Sequence, residues 1–588
     1  MLQQIKSPAD LKKLPLPSLT PLAGEIRDFF IASISKTGGH IGANLGVIEL
    51  TIAVHYVFDA DRDDILFDVG HQGYTHKLLT GRMDLFPSLN TFGGMSRFIT
   101  PSESRYDILD ASHAGTAISI GSGLALASGQ NGEDRCVVAI VGDGSMVEGM
   151  SFEGLNFVVD RPLPFVLIVN DNGMSIPPNV GGIRNLFSGD NWQEKSSGFF
   201  SGLGFRYLSV PDGHDLPLLV ERFSEARAWA TANGPVVVHV KTEKGRGLAM
   251  AKNHPYKMHF SMPFDPVTGE GASPVPAGRL FTTIVGDTLG ELVGASPNLY
   301  VLTPATPYAS GLDPLLKKHP ENVMDVGMAE QHALGMAAGL AMAGKKVFAC
   351  LQSTFMQRAM DQLFHDLCHP MLPVTVIAAR SGFSGYDSPT HHGIYDLIYL
   401  QAIPNLQIFY AGTGRDLRAI IEERSRGASA PMVVLHPYEG IWPGEETLPP
   451  PAPLNEPEVL SEGRDGAILA LGNRLPQAFE LRRLLQERHR QDFGVINARW
   501  IKPLPENALC RLLADAPRVV TLEEGPRRGG FGAAVALLLA ERLPGADVHV
   551  SGLEDRFMPA GDKETLSRIG GIDPAAVLSC LEQRWGLR

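Results

Sequence analysis

The sequence predicts an α/β protein with three domains. The chain has 588 residues, and at about 150 residues per domain this length predicts three or four domains. Apolar runs typical of buried strands alternate with helical segments, which is typical of parallel sheets covered by helices. Two stretches rich in proline interrupt this alternation and divide the chain into three blocks.

The first block covers residues 1–270 and contains strand-like runs at 136–141, 165–169 and 236–240, with a helical segment at 121–127. A Pro/Gly-rich stretch at 262–276 predicts a linker. The second block, 278–440, has strand-like runs at 347–351 and 374–378, and a second linker lies at 448–457. The third block, 458–588, contains predicted strands at 466–472 and 518–522.

Composition excludes several classes of function. With 51 Lys+Arg against 64 Asp+Glu, the formal net charge is -13, whereas neutralising nucleic-acid phosphates requires a basic face. The five cysteines are scattered and never in CxxC spacing, which predicts a reducing compartment and no zinc site. No stretch has about 18 uninterrupted apolar residues and the start lacks a signal-peptide pattern, so we expect a cytoplasmic protein without a membrane partner.

Two predicted strands of the first block end in polar residues. The first is followed by Gly142-Asp143-Gly144 and the second by Asn170-Asp171-Asn172-Gly173-Met174. Ligands of open parallel sheets collect at the carboxyl ends of strands, so we expect these segments to be neighbours. The Asp143 carboxylate, the Asn172 amide oxygen and the backbone carbonyl of Met174 form an all-oxygen set that suits Mg²⁺ or Ca²⁺.

The glycines of this segment indicate a phosphate ligand. Gly142 and Gly144 let the backbone approach a diphosphate closely. A Gly-Asp-Gly segment alone is more often a plain turn, but Asn172 follows Asp143 by about 29 positions, across one βαβ-like unit. This pairing matches the motif of enzymes that bind thiamine diphosphate.

Further motifs occur in order in all three blocks. The first block contains Gly-Gly-His at 38–40, Asp-Val-Gly-His-Gln-Gly-Tyr at 68–74, Asp-Gly-His-Asp at 212–215 and Lys-Thr-Glu-Lys-Gly at 241–245. The second contains Ala-Glu-Gln-His-Ala at 329–333, a Ser-Thr-Phe segment at 353–362 and Thr-His-His-Gly at 390–393, and the third has matching segments at 497–504 and 555–557. With 142–144 and 172–176, these motifs resemble the 1-deoxy-D-xylulose-5-phosphate synthase family over nearly the whole chain.

The resemblance implies a homodimer that uses thiamine diphosphate and Mg²⁺. It implies two α/β domains that bind the cofactor between them, a diphosphate-binding domain at 1–270 and a pyrimidine-binding domain at 278–440, and a transketolase-type C-terminal α/β domain at 458–588. The implied reaction joins pyruvate, or another small 2-oxo acid, to glyceraldehyde 3-phosphate with release of CO₂. Its partners are therefore small-molecule substrates.

The resemblance also assigns cofactor contacts. Glu330 would hydrogen-bond the pyrimidine ring and Phe355 would pack on it, whereas without the metal motif they would be an ordinary helix N-terminal residue and a core phenylalanine. His113 and Lys244 would make polar contacts near the cofactor. The histidines that would face the diphosphate or the donor carbonyl, where a group titrating near neutrality can move protons, are His40, His71 and His259.

The acceptor side departs from the family pattern. Asp387 and His391 would handle the acceptor, with Arg358 and Arg380 supplying positive charge for a phosphate. The family's tyrosine before the Ser-Thr-Phe segment is Gln352 here, and its Arg-Tyr-Pro-Arg-Gly segment reads His-Pro-Tyr-Glu-Gly at 436–440. Losing a charge-assisted contact to a phosphate costs about 1.5–3 kcal/mol, so the sequence predicts a different acceptor unless Arg380 carries the phosphate alone. The altered residues that we expect to line the acceptor pocket are Gln352, His436 and Tyr438.

Smaller departures lie elsewhere. A serine of the family is Gly115, a glutamate is Arg105, and the segment after Gly181 is shorter by tens of residues, so we expect a different active-site cover. Two alternatives remain open at this point: a transketolase-like ketol transferase, and a catalytically silent paralogue. The Thr-His-His-Gly segment argues against the first, and joint retention of Asp143, Asn172, Glu330 and Phe355 against the second.

Overall fold

The computed structural model describes residues 1–130, 135–271, 280–437 and 439–587. Its strands form three sheets, and most neighbouring strands are parallel. The predicted α/β class is therefore confirmed. The strands are Asp64–Phe67 (β1), Val137–Gly142 (β2), Phe165–Asp171 (β3), Arg206–Val210 (β4), Val236–Lys241 (β5), Leu299–Thr303 (β6), Val323–Asp325 (β7), Lys346–Gln352 (β8), Thr375–Ala379 (β9), Gln407–Tyr410 (β10), Met432–His436 (β11), Glu458–Ser461 (β12), Gly466–Ala470 (β13), Phe493–Asn497 (β14), Trp500–Lys502 (β15), Arg518–Pro526 (β16) and Asp547–Leu553 (β17).

Strand order differs among the sheets. The first sheet has five parallel strands in the order β1-β2-β3-β5-β4. The second has seven in the order β15-β10-β11-β9-β8-β6-β7, with β15 antiparallel to β10 at its edge. The third has the order β12-β14-β13-β16-β17, with β12 antiparallel to β14. Non-consecutive neighbours require crossover connections, which the intervening helices provide.

The fold comprises two compact units. The first is Met1–Pro274 with Gly327–Ala329 and contains the first sheet, and the second is Val275–Val326 with Glu330–Arg588 and contains the other two sheets. The domain boundaries given by the sequence stay predictions, and residues 272–279, where one of them falls, lie outside the described residues. Within the described ranges, no helix combines the length and hydrophobicity needed to cross a membrane.

Helices cover the sheets in both units. The α-helices of the first unit are Pro8–Lys12, Leu19–Thr37, Ile41–Leu45, Ile48–Val57, Tyr74–Leu79, Ala117–Gln130, Gly149–Val158, Gly181–Leu186, Trp192–Leu203 and Leu216–Asn233. Those of the second unit are Phe281–Ala295, Asp313–Lys318, Glu330–Met342, Ser353–Met356, Asp396–Tyr399, Gly414–Arg426, Leu475–His489, Glu506–Leu513, Phe531–Arg542, Lys563–Ile569 and Pro574–Trp585, with a π-helix at Gln362–Cys368.

The apolar runs in the sequence predict the central strands to within a few residues, but two strands continue into polar residues. β3 extends through Asn170 and Asp171, and β16 through Glu523 and Glu524. These side chains are buried, which is tolerated because each finds hydrogen-bond partners. Hydrophobicity alone therefore ends both strands too early.

Candidate active site

In the first unit, the Gly142–Gly144 and Asn170–Met174 segments lie side by side at the carboxyl edge of the first sheet. β2 and β3 pair in parallel, with Gly142 opposite Asn170. The backbone N–H of Asp143 donates to the carbonyl of Asn170 at 3.0 Å. The neighbourhood that the sequence predicts for these two segments is therefore present in the fold.

The Asp143 carboxylate is buried, and only one of its two oxygens is hydrogen-bonded among the described residues. Its Oδ2 accepts the N–H of Gly173 at 2.7 Å and the amide of Asn179 at 2.8 Å. Its Oδ1 is buried and has no hydrogen-bond partner among the described residues. Burial, together with the nearby Asp171 carboxylate, raises the pKa of Asp143 well above its usual range. A cation at Oδ1 would satisfy this oxygen and compensate the charge.

The remaining ligand candidates near Asp143 are amide and backbone oxygens. Asn172 Oδ1 accepts the N–H of Met174 at 3.1 Å, across the left-handed residue Gly173. Among the described residues, no group of three or more His, Cys, Asp or Glu side chains could hold a metal. A metal here would therefore use Asp143, the Asn172 amide, a backbone carbonyl and phosphate oxygens, as Mg²⁺ commonly does.

The two glycines beside Asp143 differ in their surroundings. A Cβ added at Gly142 would meet nothing within 4 Å, so open space lies beside this strand end. A Cβ added at Gly144 would lie 2.7 Å from the Cβ of Ser175. The carbonyl of Ser175 accepts a hydrogen bond from Lys244 Nζ at 2.8 Å. The residues present thus fit a metal and a diphosphate, because open space beside Gly142, closely approaching backbone at Gly144 and the nearby Lys244 ammonium occur together.

Lys244 is a buried cation in the same loop region. Burial lowers its pKa to about 7, although Asp143 acts in the opposite direction. A lysine in this state gains its charge when an anion such as a phosphate binds beside it.

The three histidines that the sequence singles out form one cluster. The ring centroids of His40 and His71 are 5.3 Å apart, those of His40 and His259 5.5 Å, and those of His71 and His259 4.9 Å. Burial lowers the pKa of His71 to about 3 and that of His259 well below its usual value, so both rings are neutral. His71 Nδ1 lies 3.1 Å from the Val69 carbonyl and therefore carries the proton.

Asn44 holds two of these histidines in place and was not predicted from the sequence. Its amide nitrogen donates to the carbonyls of His40 at 2.8 Å and His71 at 2.7 Å, and its Oδ1 accepts the N–H of Tyr74 at 2.8 Å. Asn44 is fully buried. A lone asparagine in an apolar segment carries no sequence signal for such a role, because its partners lie up to 30 positions away.

His113 lies half-buried in the loop before the Ala117–Gln130 helix. Asp68 fixes that loop by accepting the N–H groups of Gly115 at 2.8 Å and Ala117 at 3.0 Å. Gly115 has φ of 84°, and a Cβ there would lie 3.0 Å from the Cβ of Glu148. The departure from the family's serine at this position therefore accompanies a backbone conformation that favours glycine.

In the second unit, Glu330 begins the Glu330–Met342 helix and is buried. Its Oε2 has no hydrogen-bond partner among the described residues. Burial raises the pKa of Glu330 to about 7, and the positive charge of Arg358 opposes this rise. Arg358 itself is half-buried.

Phe355 and His391 are in ring contact. Their centroids are 5.5 Å apart in an edge-to-face arrangement, a geometry that aromatic pairs favour. His391 Nδ1 lies 2.7 Å from Ser388 Oγ, and Thr354 Oγ1 donates to the carbonyl of Thr390 at 2.5 Å. The Thr354 bond and the ring contact tie the Thr-His-His-Gly segment to the Ser-Thr-Phe segment.

Gln352, Arg380 and Asp387 form one polar network at the carboxyl edge of the second sheet. Arg380 donates to the Asp387 carboxylate and, at 3.2 Å, to Gln352 Oε1. The Gln352 amide donates to the hydroxyl of Tyr308 at 3.1 Å. Asp387 is thus an ion-pair partner of Arg380, a contact that sequence reasoning did not predict.

His436 lies in the same row of residues. Ala379, on β9, is opposite both Gln352 on β8 and His436 on β11. The His436 ring is fully buried, stacks on Phe281 at a centroid distance of 6.3 Å, and has its Nδ1 2.9 Å from the Pro437 carbonyl. Burial lowers its pKa to about 4, so it is neutral. Tyr438, the other predicted pocket residue, lies outside the described residues.

Residues around the third sheet hold the segment that follows Arg380. Glu524 accepts hydrogen bonds from Arg474, from the Asn473 amide at 3.0 Å and from the N–H of Phe383 at 2.7 Å. His392 Nε2 lies 3.0 Å from the Pro559 carbonyl. Glu524 was not predicted from the sequence, because contacts over 141 positions leave no local pattern.

We expect Glu524→Gln to lower stability by about 3 kcal/mol, since breaking a buried ion pair typically costs about 3–5 kcal/mol. Arg474 and Glu524 are both almost fully buried, so the variant leaves a buried guanidinium without its counter-charge. Differential scanning calorimetry would measure the loss as a lower transition temperature. The exposed Glu541→Gln is the control, and equal transition temperatures for the two variants would contradict the expectation.

Comparison with known proteins agrees with this architecture. The family model for 1-deoxy-D-xylulose-5-phosphate synthase matches residues 2–196, that for the transketolase pyrimidine-binding domain matches 279–439, and that for the transketolase C-terminal domain matches 456–577. Fold and domains thus define a transketolase-like α/β enzyme.

Relatives that match nearly the whole chain identify the family within this class of enzymes. The 1-deoxy-D-xylulose-5-phosphate synthase 1 of Geobacter sulfurreducens is 39% identical over 99% of this chain and 97% of its own. The corresponding synthase of Thioalkalivibrio sulfidiphilus is also 39% identical, over 99% and 95%. The chain belongs to the 1-deoxy-D-xylulose-5-phosphate synthase family. This is a family of transferases that depend on thiamine diphosphate and Mg²⁺.

Proposed function

We propose that this protein decarboxylates pyruvate and joins the remaining two-carbon unit to an aldehyde, using thiamine diphosphate and Mg²⁺. The relatives are named for the product 1-deoxy-D-xylulose 5-phosphate, which corresponds to glyceraldehyde 3-phosphate as the aldehyde. The observation that carries the proposal is the buried Asp143 carboxylate at the carboxyl ends of β2 and β3, whose Oδ1 has no hydrogen-bond partner within the described part of the chain. Such an oxygen requires a cation or a proton.

Asp143, the Asn172 amide and the Met174 carbonyl would hold the metal, with Gly142, Gly144, His113 and Lys244 near the diphosphate. Thiamine diphosphate, when bound, supplies a carbon nucleophile and an acceptor for the electrons that decarboxylation leaves. The protein's contribution is to orient this group and its substrates. Lys244 supports the proposal because its pKa near 7 allows its charge to follow that of a bound phosphate.

Glu330 and Phe355 would position the pyrimidine ring. A carboxyl with a pKa of about 7 is matched to holding or releasing a proton at neutral pH, which is the condition for effective general acid–base action. The edge-to-face contact of Phe355 with His391 supports a fixed ring against which a flat heterocycle can pack.

His40, His71 and His259 would contact the donor carbonyl or the diphosphate. Because His71 and His259 are neutral, they offer hydrogen bonds without adding charge. The Nδ1–H of His71 is directed to the Val69 carbonyl, which leaves Nε2 as an acceptor. Neutral rings therefore suit a substrate carbonyl whose charge changes during the reaction.

On the acceptor side, His391 and Asp387 would handle the aldehyde, with Arg358, Arg380, Gln352, His436 and Tyr438 around it. Ser388 orients His391, and an imidazole in this position would exchange a proton with the aldehyde oxygen. Each of these roles remains a proposal.

We further propose a cytoplasmic homodimer. Family membership supports both points. The cysteines, which form no disulfide among the described residues, support a reducing compartment. Light scattering of the purified protein at micromolar concentration is expected to give twice the chain mass, and a monomeric mass would contradict the assembly.

The experiment that tests the function uses the full-length protein with thiamine diphosphate, Mg²⁺ and pyruvate labelled at C1. We expect labelled CO₂ release that depends on an added aldehyde and stops when EDTA removes the metal. Release of no CO₂ despite cofactor binding in calorimetry would contradict the proposal. Ketol transfer from a ketose phosphate without CO₂ would point instead to transketolase activity.

A further inference from the structure

Three cations around the predicted acceptor residues each pair with a carboxylate: Arg380 with Asp387, Lys563 with Glu439, and Arg474 with Glu524. We propose that the aldehyde acceptor of this protein is uncharged, so that it carries a hydroxyl where the family's substrate carries a phosphate. This inference rests on the proposed function and concerns only the choice of acceptor.

Arg380 is one of the two cations, with Arg358, that the sequence predicts for a phosphate, and the Asp387 carboxylate compensates its charge. Its guanidinium contacts the Asp387 carboxylate, Gln352 Oε1 at 3.2 Å and the Ser384 carbonyl at 3.4 Å. The Arg380 and Asp387 side chains are only 14% and 17% exposed. A phosphate dianion would have to displace Asp387 or lie beside a carboxylate, and either event opposes binding.

The second position shows a reversal of charge. Where the family resemblance places the last arginine of Arg-Tyr-Pro-Arg-Gly, this chain has Glu439, which accepts a hydrogen bond from Lys563 Nζ at 2.7 Å. The substitution therefore removes a positive charge, adds a negative one and engages a nearby lysine. A carboxylate here disfavours a phosphate and does not disfavour a neutral hydroxyl.

A third cation, Arg474, is also compensated by a carboxylate. Arg474 pairs with Glu524, and both side chains are almost fully buried. Each of the three cations therefore has a carboxylate partner. Three other polar groups near the predicted acceptor residues are neutral: the Gln352 amide, the Tyr308 hydroxyl and the uncharged ring of His436. Hydrogen-bonding groups without net charge recognise hydroxyl groups rather than phosphates.

The reaction balances with such an acceptor. Pyruvate loses its carboxylate as CO₂, the carbonyl carbon of the remaining unit bonds to the aldehyde carbon, and one proton is taken up. With D-glyceraldehyde the product is 1-deoxy-D-xylulose, which lacks the phosphate and requires no further reactant. Only the recognition of the far end of the acceptor differs from the family reaction.

The test compares D-glyceraldehyde with D-glyceraldehyde 3-phosphate as acceptors for the holoenzyme. CO₂ release gives kcat/KM for each aldehyde, and NMR identifies the products. We expect kcat/KM for D-glyceraldehyde to equal or exceed that for the phosphate, and a higher value for the phosphate overturns the proposal. CO₂ release with neither aldehyde would instead refute the proposed function, and the acceptor inference with it.

Glu439→Arg tests the assigned position separately. We expect this variant to shift the ratio of kcat/KM values toward the phosphorylated aldehyde by about tenfold, which corresponds to one charge-assisted contact. Glu446→Arg, an equal change of charge at an exposed glutamate, is expected to shift the ratio less than about twofold. An unchanged ratio for a folded Glu439→Arg protein would show that Glu439 does not select the acceptor.

Discussion

Glu330→Gln is expected to lower kcat about 10³-fold while thiamine diphosphate binding changes only a few-fold. Glutamine keeps the size of the side chain but cannot exchange a proton near pH 7, and positioned proton transfer contributes about 10²–10⁴-fold to enzymatic rates. Stopped-assay CO₂ release would give kcat, and calorimetry would give the affinity for the cofactor. The exposed Glu321→Gln serves as the matched control.

The same variant has a signature in stability that is independent of turnover. Burial raises the pKa of Glu330 from its ordinary 4.5 to about 7, so the folded protein without cofactor binds this proton more tightly than the unfolded chain does. Its contribution is therefore favourable at low pH and is lost as pH rises from about 4.5 to 7. We expect the melting temperature of Glu330→Gln to fall less than that of the parent over that pH window. Undiminished activity, together with parallel curves of melting temperature against pH for the two proteins, would refute the role assigned to Glu330.

Asp143→Asn is expected to weaken binding of thiamine diphosphate with Mg²⁺ about 100-fold. The variant keeps an oxygen at the site but removes the charge opposite the metal, and a charge-assisted contact is worth up to about 3 kcal/mol, or about 100-fold in affinity. Calorimetric titration with cofactor at fixed Mg²⁺ measures the loss. Asp160→Asn, an exposed position of the same unit, should bind as the parent does.

Without metal, the sign of the Asp143→Asn effect reverses. The pKa of Asp143 is raised in the fold by burial and by Asp171, so ionisation destabilises the metal-free protein as pH rises above the ordinary value of 3.8 toward the raised one. We therefore expect the metal-free variant to melt at a higher temperature than the metal-free parent at neutral pH. Addition of Mg²⁺ and cofactor should raise the melting temperature of the parent much more than that of the variant, and equal increments would contradict a metal at Asp143.

Local patterns in the sequence predicted that the Gly142–Gly144 and Asn170–Met174 segments are neighbours, as the structure shows. Two apolar runs followed by polar residues, combined with the rule that parallel strands share a carboxyl edge, were enough to bring Asp143 next to the Asn170–Met174 segment. The roles of these residues stay predictions. Asn44 could not be found in this way, because its contacts to the His40 and His71 carbonyls depend on how two loops meet.

The acceptor region was less accessible from sequence. Arg380 and Asp387 were both predicted as site residues, but their ion pair was not. The backbone between them passes through Arg380 in a left-handed conformation, with φ of 68°, and no residue pattern predicts this conformation. Glu524 was missed because its bonds to Arg474 and Phe383 join distant segments. Family motifs thus predicted which residues are present, whereas the charge balance among them required the three-dimensional structure.

The second sheet is completed by an edge strand, β15, that comes from the C-terminal part of the chain. Trp500–Lys502 follows three strands of the third sheet in sequence (β12, β13 and β14), yet it pairs with β10. A fragment that ends at the proline-rich stretch near 450 would leave β10 with an open edge, which invites association with other chains. The pyrimidine-binding domain is therefore not a self-contained module, and exchanges between homologous proteins should transfer the whole segment from about 280 to the C-terminus.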